Sequence, residues 1–594
     1  MRINRSLVAL ATAVLASTAF VSTYSAPEPA LASAASPGSK DVIVHLFEWP
    51  WASVATECTS QLGPKGFGGV QVSPPQEHVV LPGQGYPWWQ DYQPVSYQLS
   101  TRRGDRAAFA SMVATCHAAG VKIYVDAVIN HMAGGTSSGN GSAGSTYSHY
   151  AYPAVPYGNN DFHHCGRNGN DDISNFGDRW EVQNCELVDL SDLKTEAGYV
   201  RGKLTGYLSD LVSLGVDGFR VDAAKHIPAA DLAAIMDSVS GVPGDPYVYS
   251  EVIEGGNGEP TPEEYAGIGD VTEFRYGDQV SSAFRNGSLA NLNNLPSAMR
   301  LSSGDAIAFI DNHDTQRNGR NVLTYKNGSA YDLAEAFMIA YPYGVPSVMS
   351  SFTFSDPEAG PPASANGTTN TVTCGSGWEC EHRERTTANM VGLRNAAAGT
   401  AVTNWWSNGN DQIAFGRGAA AYVAFNRAGS ALSRTFQTGL PTGTYCDVMS
   451  GEVSGTACTG RTSEVNSAGQ VTATVPANGA LALHVNARTS AGSTCSTADV
   501  SIAANVTTSW GQNVFVVGDT AALGNWSPAS AVALSSAGYP VWSATVNLPA
   551  ATTVQYKYLK KDDAGTVIWE SDPNRTRATP STSPCAATWT DSWR

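Results

Sequence analysis

Residues 218–226 read Gly218-Phe219-Arg220-Val221-Asp222-Ala223-Ala224-Lys225-His226. A short strand-like run gives way, within a few positions, to a carboxylate, a lysine and a histidine. Just before it, residues 197–214 repeat apolar side chains at three- and four-residue spacing, the period of a helix with one buried face. The same unit recurs along the chain. Residues 42–47, 69–72, 122–128, 218–221, 247–252, 271–274, 306–310 and 347–349 are strand candidates, and most are continuously apolar, as strands buried on both faces of a parallel sheet are. Segments such as 105–119 and 197–214 supply the helices between them. Eight strand-then-helix units over about 350 residues predict an α/β fold, a (β/α)8 TIM barrel, placed at residues 41–398.

Residues 132–192, between the third and fourth strands, are rich in Gly, Ser, Asn, Tyr and His and too long for a simple connection. They predict a subdomain inserted after the third strand, standing on the C-terminal face where such barrels keep their active sites. From 399 to 488 the pattern changes to short alternating strands (412–415, 421–426 and 480–485), predicting a C-terminal β-sandwich. Residues 489–494 read as a linker, and 495–594 as a separate all-β module with strands at 514–517, 542–548 and 554–559.

Composition narrows the partners. The 594 residues carry 35 Lys and Arg against 52 Asp and Glu, a net charge of −17. Such a chain repels phosphate backbones and anionic membranes, which argues against nucleic acid or lipid as the main partner. Only 15% of residues are charged, while 14 Trp and 24 Tyr supply stacking faces, a balance suited to a neutral, hydroxyl-rich ligand. Arg2 and Arg5 precede the apolar run 7–21, and the small-residue triplets 30–32 and 32–34 follow it, the pattern of a secretory signal peptide placed at 1–34. No other stretch has 18 uninterrupted apolar residues, so the mature chain is expected to be soluble, secreted and extracellular. Export makes the ten Cys expected disulfide partners; none sits at C-x-x-C spacing, and arithmetic alone leaves their pairing open.

Four motifs end candidate barrel strands: Asp126-Ala127-Val128-Ile129-Asn130-His131, residues 218–226, Ser250-Glu251-Val252, and Phe309-Ile310-Asp311-Asn312-His313-Asp314. A single Asp past a strand is often a loop cap. Three carboxylates with two His and an Arg at four strand ends are much harder to read that way, because eight loops converge there. Two carboxyl groups straddling a glycosidic bond can divide the work if their environments separate their pKa values. Arg220, two residues before Asp222, faces the same side of a strand and would hold that carboxylate ionised, which makes Asp222 the nucleophile. Glu251 has no basic neighbour in sequence and is the better proton donor. Asp314 would grip substrate hydroxyls and distort the sugar ring.

These motifs, in this order, resemble the four signature regions of the glycoside hydrolase family 13 α-amylases. The likeness extends over about residues 41–488 through Val44-His45-Leu46-Phe47-Glu48-Trp49, Gly66-Phe67-Gly68-Gly69-Val70-Gln71-Val72-Ser73-Pro74-Pro75, Trp88-Trp89 with Tyr92-Gln93-Pro94-Val95-Ser96-Tyr97, and Val348-Met349-Ser350-Ser351, which resemble the animal-type enzymes that streptomycetes also secrete. The resemblance implies Asp222 as nucleophile, Glu251 as acid/base and Asp314 as transition-state stabiliser. It further implies that Arg220, His131 and His313 line the cleavage subsite, that Tyr92 stacks on the sugar there, that Trp88 and Trp89 extend the platform, and that Lys225 and His226 flank the leaving-group side. Core packing is the competing reading of Trp88-Trp89. His78, His117 and His484 read as core or surface, and Trp405-Trp406 as packing between barrel and sandwich.

By motif position the family's Ca2+ would be held by the Asn130 side chain, Asp192 and the backbone carbonyls of His226 and Gln183. Animal-type relatives bind an activating chloride through two Arg and an Asn; Arg220 and Asn312 match, but Ser347 replaces the other expected Arg, which argues against chloride here. The resemblance also implies the bridges Cys58 with Cys116, Cys165 with Cys185, Cys374 with Cys380 and Cys446 with Cys458, leaving Cys495 and Cys585 for the terminal module. That module resembles carbohydrate-binding family 20, a starch-binding module, through Gly518, Leu523-Gly524-Asn525-Trp526, Tyr556-Lys557-Tyr558 and Trp569-Glu570-Ser571-Asp572-Pro573-Asn574-Arg575. Trp526, Trp569, Lys557 and Asn574 would form one sugar site. Trp510 and Tyr539 match a second, whose acidic partner is replaced near Ala537.

The expectation is a secreted, monomeric, calcium-dependent, retaining α-amylase acting on internal α-1,4 bonds of starch and other α-glucans through a covalent glycosyl-enzyme on Asp222. A family 13 transglycosylase is the rival enzyme, but its extra β domain has no room in residues 489–494. A non-catalytic starch-binding protein would have no reason to keep Asp222, Glu251 and Asp314 together.

Overall fold

The computed structural model describes residues 38–134, 138–239, 245–489, 495–581 and 585–594; the leader reading of 1–34 and most of the linker fall outside them. Eight strands close a barrel: β1 (Ile43–Leu46), β2 (Gly69–Val72), β3 (Lys122–Ala127), β4 (Gly218–Val221), β5 (Tyr247–Ser250), β6 (Asp270–Thr272), β7 (Ala306–Ala308) and β8 (Val345–Ser350). Each lies on an expected segment, neighbours in space are neighbours in sequence, and all pairs are parallel. Strands β1, β2, β4 and β5 are buried along their whole length, as their apolar runs require.

One set of strand side chains fills the barrel's interior: Ile43, Tyr124, Tyr247, Tyr249 and Ile307 pack against one another there. The tyrosines fit because two strand positions are glycine. A Cβ on Gly69 would stand 2.4 Å from the Tyr124 ring, and one on Gly218 would stand 2.1 Å from the Tyr247 carbonyl oxygen. The opposite faces pack on the surrounding helices, among them Arg106–Ala118, whose first turn is capped by Asp105 accepting from the Ala108 N–H at 2.9 Å, and Gly198–Ser213.

The insertion after β3 is closed at its base by two antiparallel strands, His131–Gly134 and Leu190–Asp192, with His131 opposite Asp192. Beyond the barrel, a four-stranded sheet (Val402–Ser407, Gln412–Arg417, Ala421–Asn426, Gly479–His484) faces a five-stranded one to form the sandwich. Of the two adjacent tryptophans, Trp405 stacks on Phe415 in the core shared with the barrel, whereas Trp406 meets Phe436 inside the sandwich. Successive side chains of a strand take opposite faces, so only Trp405 fulfils the expected interdomain role. The terminal module has its own core and two sheets, with Thr497–Asn505 pairing antiparallel to Val541–Pro549 and parallel to Ala586–Ser592. The five disulfides are Cys58–Cys116, Cys165–Cys185, Cys374–Cys380, Cys446–Cys458 and Cys495–Cys585, the pairing the resemblance implies. His78 is buried beside Asp91, His117 pairs with Asp217 at 2.7 Å near the surface, and His484 is buried. No helix among the described residues is long and apolar enough to cross a membrane.

Candidate active site

The strand ends converge on one guanidinium. Arg220, buried on β4, donates from Nη1 to Asp126 Oδ1 on β3 at 2.6 Å and to Asp222 Oδ1 at 2.8 Å, and its Nη2 lies 2.9 Å from Glu251 Oε1, just past β5. Parallel neighbours in register bring these residues together: Arg220 sits beside Asp126 on one side and Tyr249 on the other. Sequence reasoning gave Glu251 no basic neighbour, but the adjacent strand supplies one. It also set Arg220 in the wall of the cleavage subsite, whereas the side chain lies below the carboxylates and lines a small cavity of about 30 Å³ with His45, Thr272, Asn312 and Ser347. A strand's inward side chains fill the barrel, while the cleft is walled by residues past the strand ends.

Above the guanidinium opens a cleft of about 900 Å³. Asp222, Glu251 and Asp314 reach it together with Tyr92, His131, His313, Lys225, His226, Trp88 and Trp89. The two tryptophans therefore face the cleft rather than the core alone, anchored through their indole N–H groups to the Pro357 carbonyl at 3.0 Å and to the Glu358 carboxylate. Tyr92 is fixed from both sides, donating to Asp126 Oδ2 at 2.8 Å and stacking on His313 with ring centroids 5.1 Å apart. His131 Nε2 donates to the Tyr92 carbonyl at 3.0 Å, and burial lowers its pKa to about 4, so this ring is neutral. Lys225 is tied to Glu259, and His226 Nδ1 donates to the Val182 carbonyl at 2.9 Å.

Burial raises the proton affinity of all three central carboxyls. Asp222 is pushed up to about 7, first by loss of hydration and then by the nearby charges of Glu251 and Asp314, with Arg220 opposing. Glu251 and Asp314 are raised for the same first reason, again against the pull of Arg220. Arg220 favours the ionised form of Asp222, the direction the sequence suggested, but desolvation outweighs the ion pair and the carboxyl stays above its usual range. The hydrogen bonds still separate the two carboxyls. Asp222 accepts a directed, charge-assisted bond, whereas Glu251 Oε1, although close to the guanidinium, has no aligned donor, and its Oε2 takes only the Ala223 N–H at 3.1 Å. Ala223 holds a left-handed conformation, φ 50°, in the turn that offers this N–H.

Several residues of the site were not assigned from sequence. Asp126 is the guanidinium's third carboxylate, and its place in the first quoted motif was the available signal. Phe176, Leu187, Val188 and Ile253 make an apolar wall, drawn from the insertion and the loop after β5, where no periodicity marks them. Arg317 is boxed by Phe47, Trp88, Phe352 and Phe354 at 4.0–5.7 Å from their ring centroids.

Of the four expected calcium donors, Asn130 and Asp192 are buried side by side, with Leu193 N–H donating to the Asn130 carbonyl at 3.0 Å. Asp192 Oδ2 is held by His163 at 2.7 Å. The segments of Gln183 and His226 are joined by His226 Nδ1 donating to the Val182 carbonyl and by Tyr265, whose hydroxyl accepts from Gln183 Nε2 at 3.3 Å and donates to the Lys225 carbonyl at 3.3 Å and the Ile227 carbonyl at 2.7 Å. In the terminal module, strand Thr553–Lys561 gathers one expected sugar site: Lys557 lies on it, Trp569 is opposite Leu559, and Asn574 bonds Gln555 at 3.0 Å. Trp526 joins through its N–H to the Gly518 carbonyl, opposite Tyr556. Lys557 is buried along most of its length, and its ammonium is engaged by the exposed Asp572. Trp510 is fully exposed and Tyr539 half-exposed on loops joined by a hydrogen bond from the Val506 N–H to the Pro540 carbonyl.

Three family models match the chain: an α-amylase catalytic domain at residues 70–252, an α-amylase C-terminal all-β domain at 405–486 and a starch-binding domain at 497–589. The chain is 51% identical to an α-amylase of Streptomyces violaceus over 97% of each chain, and 49% identical to one of Thermomonospora curvata over 100% of each. Among solved structures, α-amylase I of the earthworm Eisenia fetida superposes with a TM-score of 0.72 at 41% identity, covering 76% of this chain and 99% of that one. A bright line thus runs from the barrel's guanidinium-bound carboxylates to the starch-hydrolysing enzymes, and the chain belongs to the α-amylase family of glycoside hydrolases, with a starch-binding domain at its C-terminal end.

Proposed function

We propose that this α-amylase cleaves internal α-1,4 bonds with retention of configuration, Asp222 acting as nucleophile, Glu251 as acid and base, and Asp314 as transition-state stabiliser. The observation that carries this reading is the unequal grip of Arg220 on two adjacent carboxyls: a directed bond favours the ionised form of Asp222, and an undirected contact leaves Glu251 Oε1 free to keep a proton. In the first step Glu251 gives that proton to the glycosidic oxygen as the Asp222 carboxylate bonds to the anomeric carbon and the leaving chain departs. Glu251, now ionised, takes a proton from water, whose oxygen displaces Asp222 and regenerates both groups. Asp314 faces the same cleft and would bind sugar hydroxyls. Tyr92, stacked on His313, offers its ring to the sugar at the cleavage point, with Arg220, His131 and His313 holding the carboxylates and that ring in place. A variant of the earthworm enzyme was solved with maltohexaose, which supports a cleft sized for a chain of glucose units.

Calcium has a structural place in this reading. Asn130, Asp192 and the carbonyls of His226 and Gln183 are all oxygen donors suited to a hard cation, and among the described residues the buried Asp192 has an imidazole alone as its ion-pair partner. When bound, the ion would tie the insertion to the barrel. Chloride has none: Arg220 already faces three carboxylates, and Ser347 adds a neutral hydroxyl to the cavity below it. The apolar leader, the five disulfides and the starch module fit a monomer exported to act on starch outside the cell.

Four outcomes are expected. Asp222→Asn and Glu251→Gln, each with unchanged circular dichroism, should lower hydrolysis of soluble starch by on the order of 10³-fold or more; a rate near the parent's for either variant would remove that residue from its role. Excess chelator should lower the melting temperature, and an identical melting curve would exclude structural calcium. Sodium chloride should not raise the rate above that in sodium sulfate of equal ionic strength, and several-fold activation would show an anion site after all. Trp569→Ala should cut adsorption to granular starch several-fold and leave soluble-starch hydrolysis unchanged; undiminished adsorption would place the binding surface elsewhere.

A further inference from the structure

We propose that Asp172, Glu186 and Asp189 hold a second divalent cation, a calcium ion, on the inserted subdomain, apart from Asn130 and Asp192. The three side chains each offer a carboxylate oxygen, and these oxygens lie within 4.8 Å of one another. The backbone sets them there. Glu186 N–H donates to the Asp171 carbonyl at 2.8 Å, Ile173 N–H donates to the Glu186 carbonyl at 2.9 Å, and Asp189 N–H donates to Asp172 Oδ1 at 2.7 Å.

A cluster of acids on a loop is commonly just solvated, so the argument turns on Glu186. Its side chain is 1% exposed; Oε1 meets His149 Nε2 at 3.1 Å and the Tyr150 hydroxyl stands beside the carboxyl, while Oε2 is buried with no donor in hydrogen-bond geometry. An orphaned carboxylate oxygen packed beside two further carboxylates is costly, since burial removes its hydration and the neighbours repel it. Among the described residues no Lys or Arg forms an ion pair with Asp172 or Glu186, and one imidazole balances at most one of those two charges. A cation at the centre of the three oxygens would supply both the missing charge and the missing partner for Oε2. The donor set selects the ion: carboxylate oxygens suit calcium, which accepts irregular geometry and fills its remaining positions with water. With three protein ligands, affinity is expected in the range of weak extracellular sites, about 10⁻⁴–10⁻³ M.

The consequence reaches the substrate cleft. Glu186 and Asp189 bracket Leu187 and Val188, both of which line it, and Val188 is 76% exposed. An ion fastening both flanks to Asp172 would hold this stretch of wall in place without touching the catalytic carboxyls.

Equilibrium dialysis of the chelator-treated full-length protein against calcium, carried into the millimolar range, tests the assignment. The parent should bind two ions per chain. Glu186→Gln and Asp172→Asn should each bind one, and Asp192→Asn should lose the other. In the parent, calcium should slow amide hydrogen exchange at residues 186–190, and in Glu186→Gln it should not. The proposal is overturned if Glu186→Gln binds as many ions as the parent, or if the parent binds one ion that Asp192→Asn removes. A parent that binds one ion, lost in Glu186→Gln and kept in Asp192→Asn, would sustain this site and reject the one at Asn130 and Asp192. Asp172→Asn, at a half-buried position, provides the same count should Glu186→Gln fail to fold.

Discussion

A buried positive charge organises the catalytic half of this protein. Arg220 stands inside the barrel with Asp126, Asp222 and Glu251 around its guanidinium, and a cation so far from water is tolerable only because those anions surround it. The dependence runs both ways. Each carboxyl has its proton affinity raised by desolvation and lowered again by the guanidinium, and the arginine would be an unpaired buried charge without the carboxyls. The closed parallel barrel makes this economical: adjacent strands in register carry Asp126 and Arg220, and Asp222 and Glu251 are the first residues past the ends of theirs. Tyr92 and His313 are then held against this cluster by one hydrogen bond and one stack.

The insertion after β3 shares responsibility for the other wall of the cleft. Its base is pinned by the strand pair at His131 and Asp192, its interior by the Cys165–Cys185 bridge, and Tyr147, Tyr152, Tyr157 and Phe162 bury a small aromatic core within it. Its outer stretch is different: none of residues 166–180 is buried, so that part must be held by something other than hydrophobic burial. Oxygen-rich clusters at Asn130 with Asp192, and at Asp172 with Glu186 and Asp189, are the places where cations would do so. The starch module is built differently, on a compact core of its own, with Trp510, Tyr539 and Trp569 left exposed at its surface.

Much of this was legible in the sequence. Strand burial on both faces leaves continuous apolar runs, so all eight barrel strands could be located, and the residues just past them named the carboxyls that reach the cleft. Errors arose where two residues distant in sequence meet. Glu251 looked free of basic neighbours because its nearest cation is on the adjacent strand. Trp405 and Trp406 looked equivalent until the sheet assigned them opposite faces. Lys557 likewise has a partner that local sequence does not show, Asp572, fifteen positions on.

The sequence by itself determined the barrel, its insertion, the sandwich, the starch module and the identity of the candidate catalytic carboxyls, because burial periodicity and strand-end residues are local properties of the chain. The tertiary structure alone decided that Arg220 lies beneath the site rather than in its wall, that desolvation outweighs its charge at Asp222, and that Asp172, Glu186 and Asp189 share one space. Hydration and electrostatic balance depend on what is packed around a group, and the order of residues along a chain does not record it.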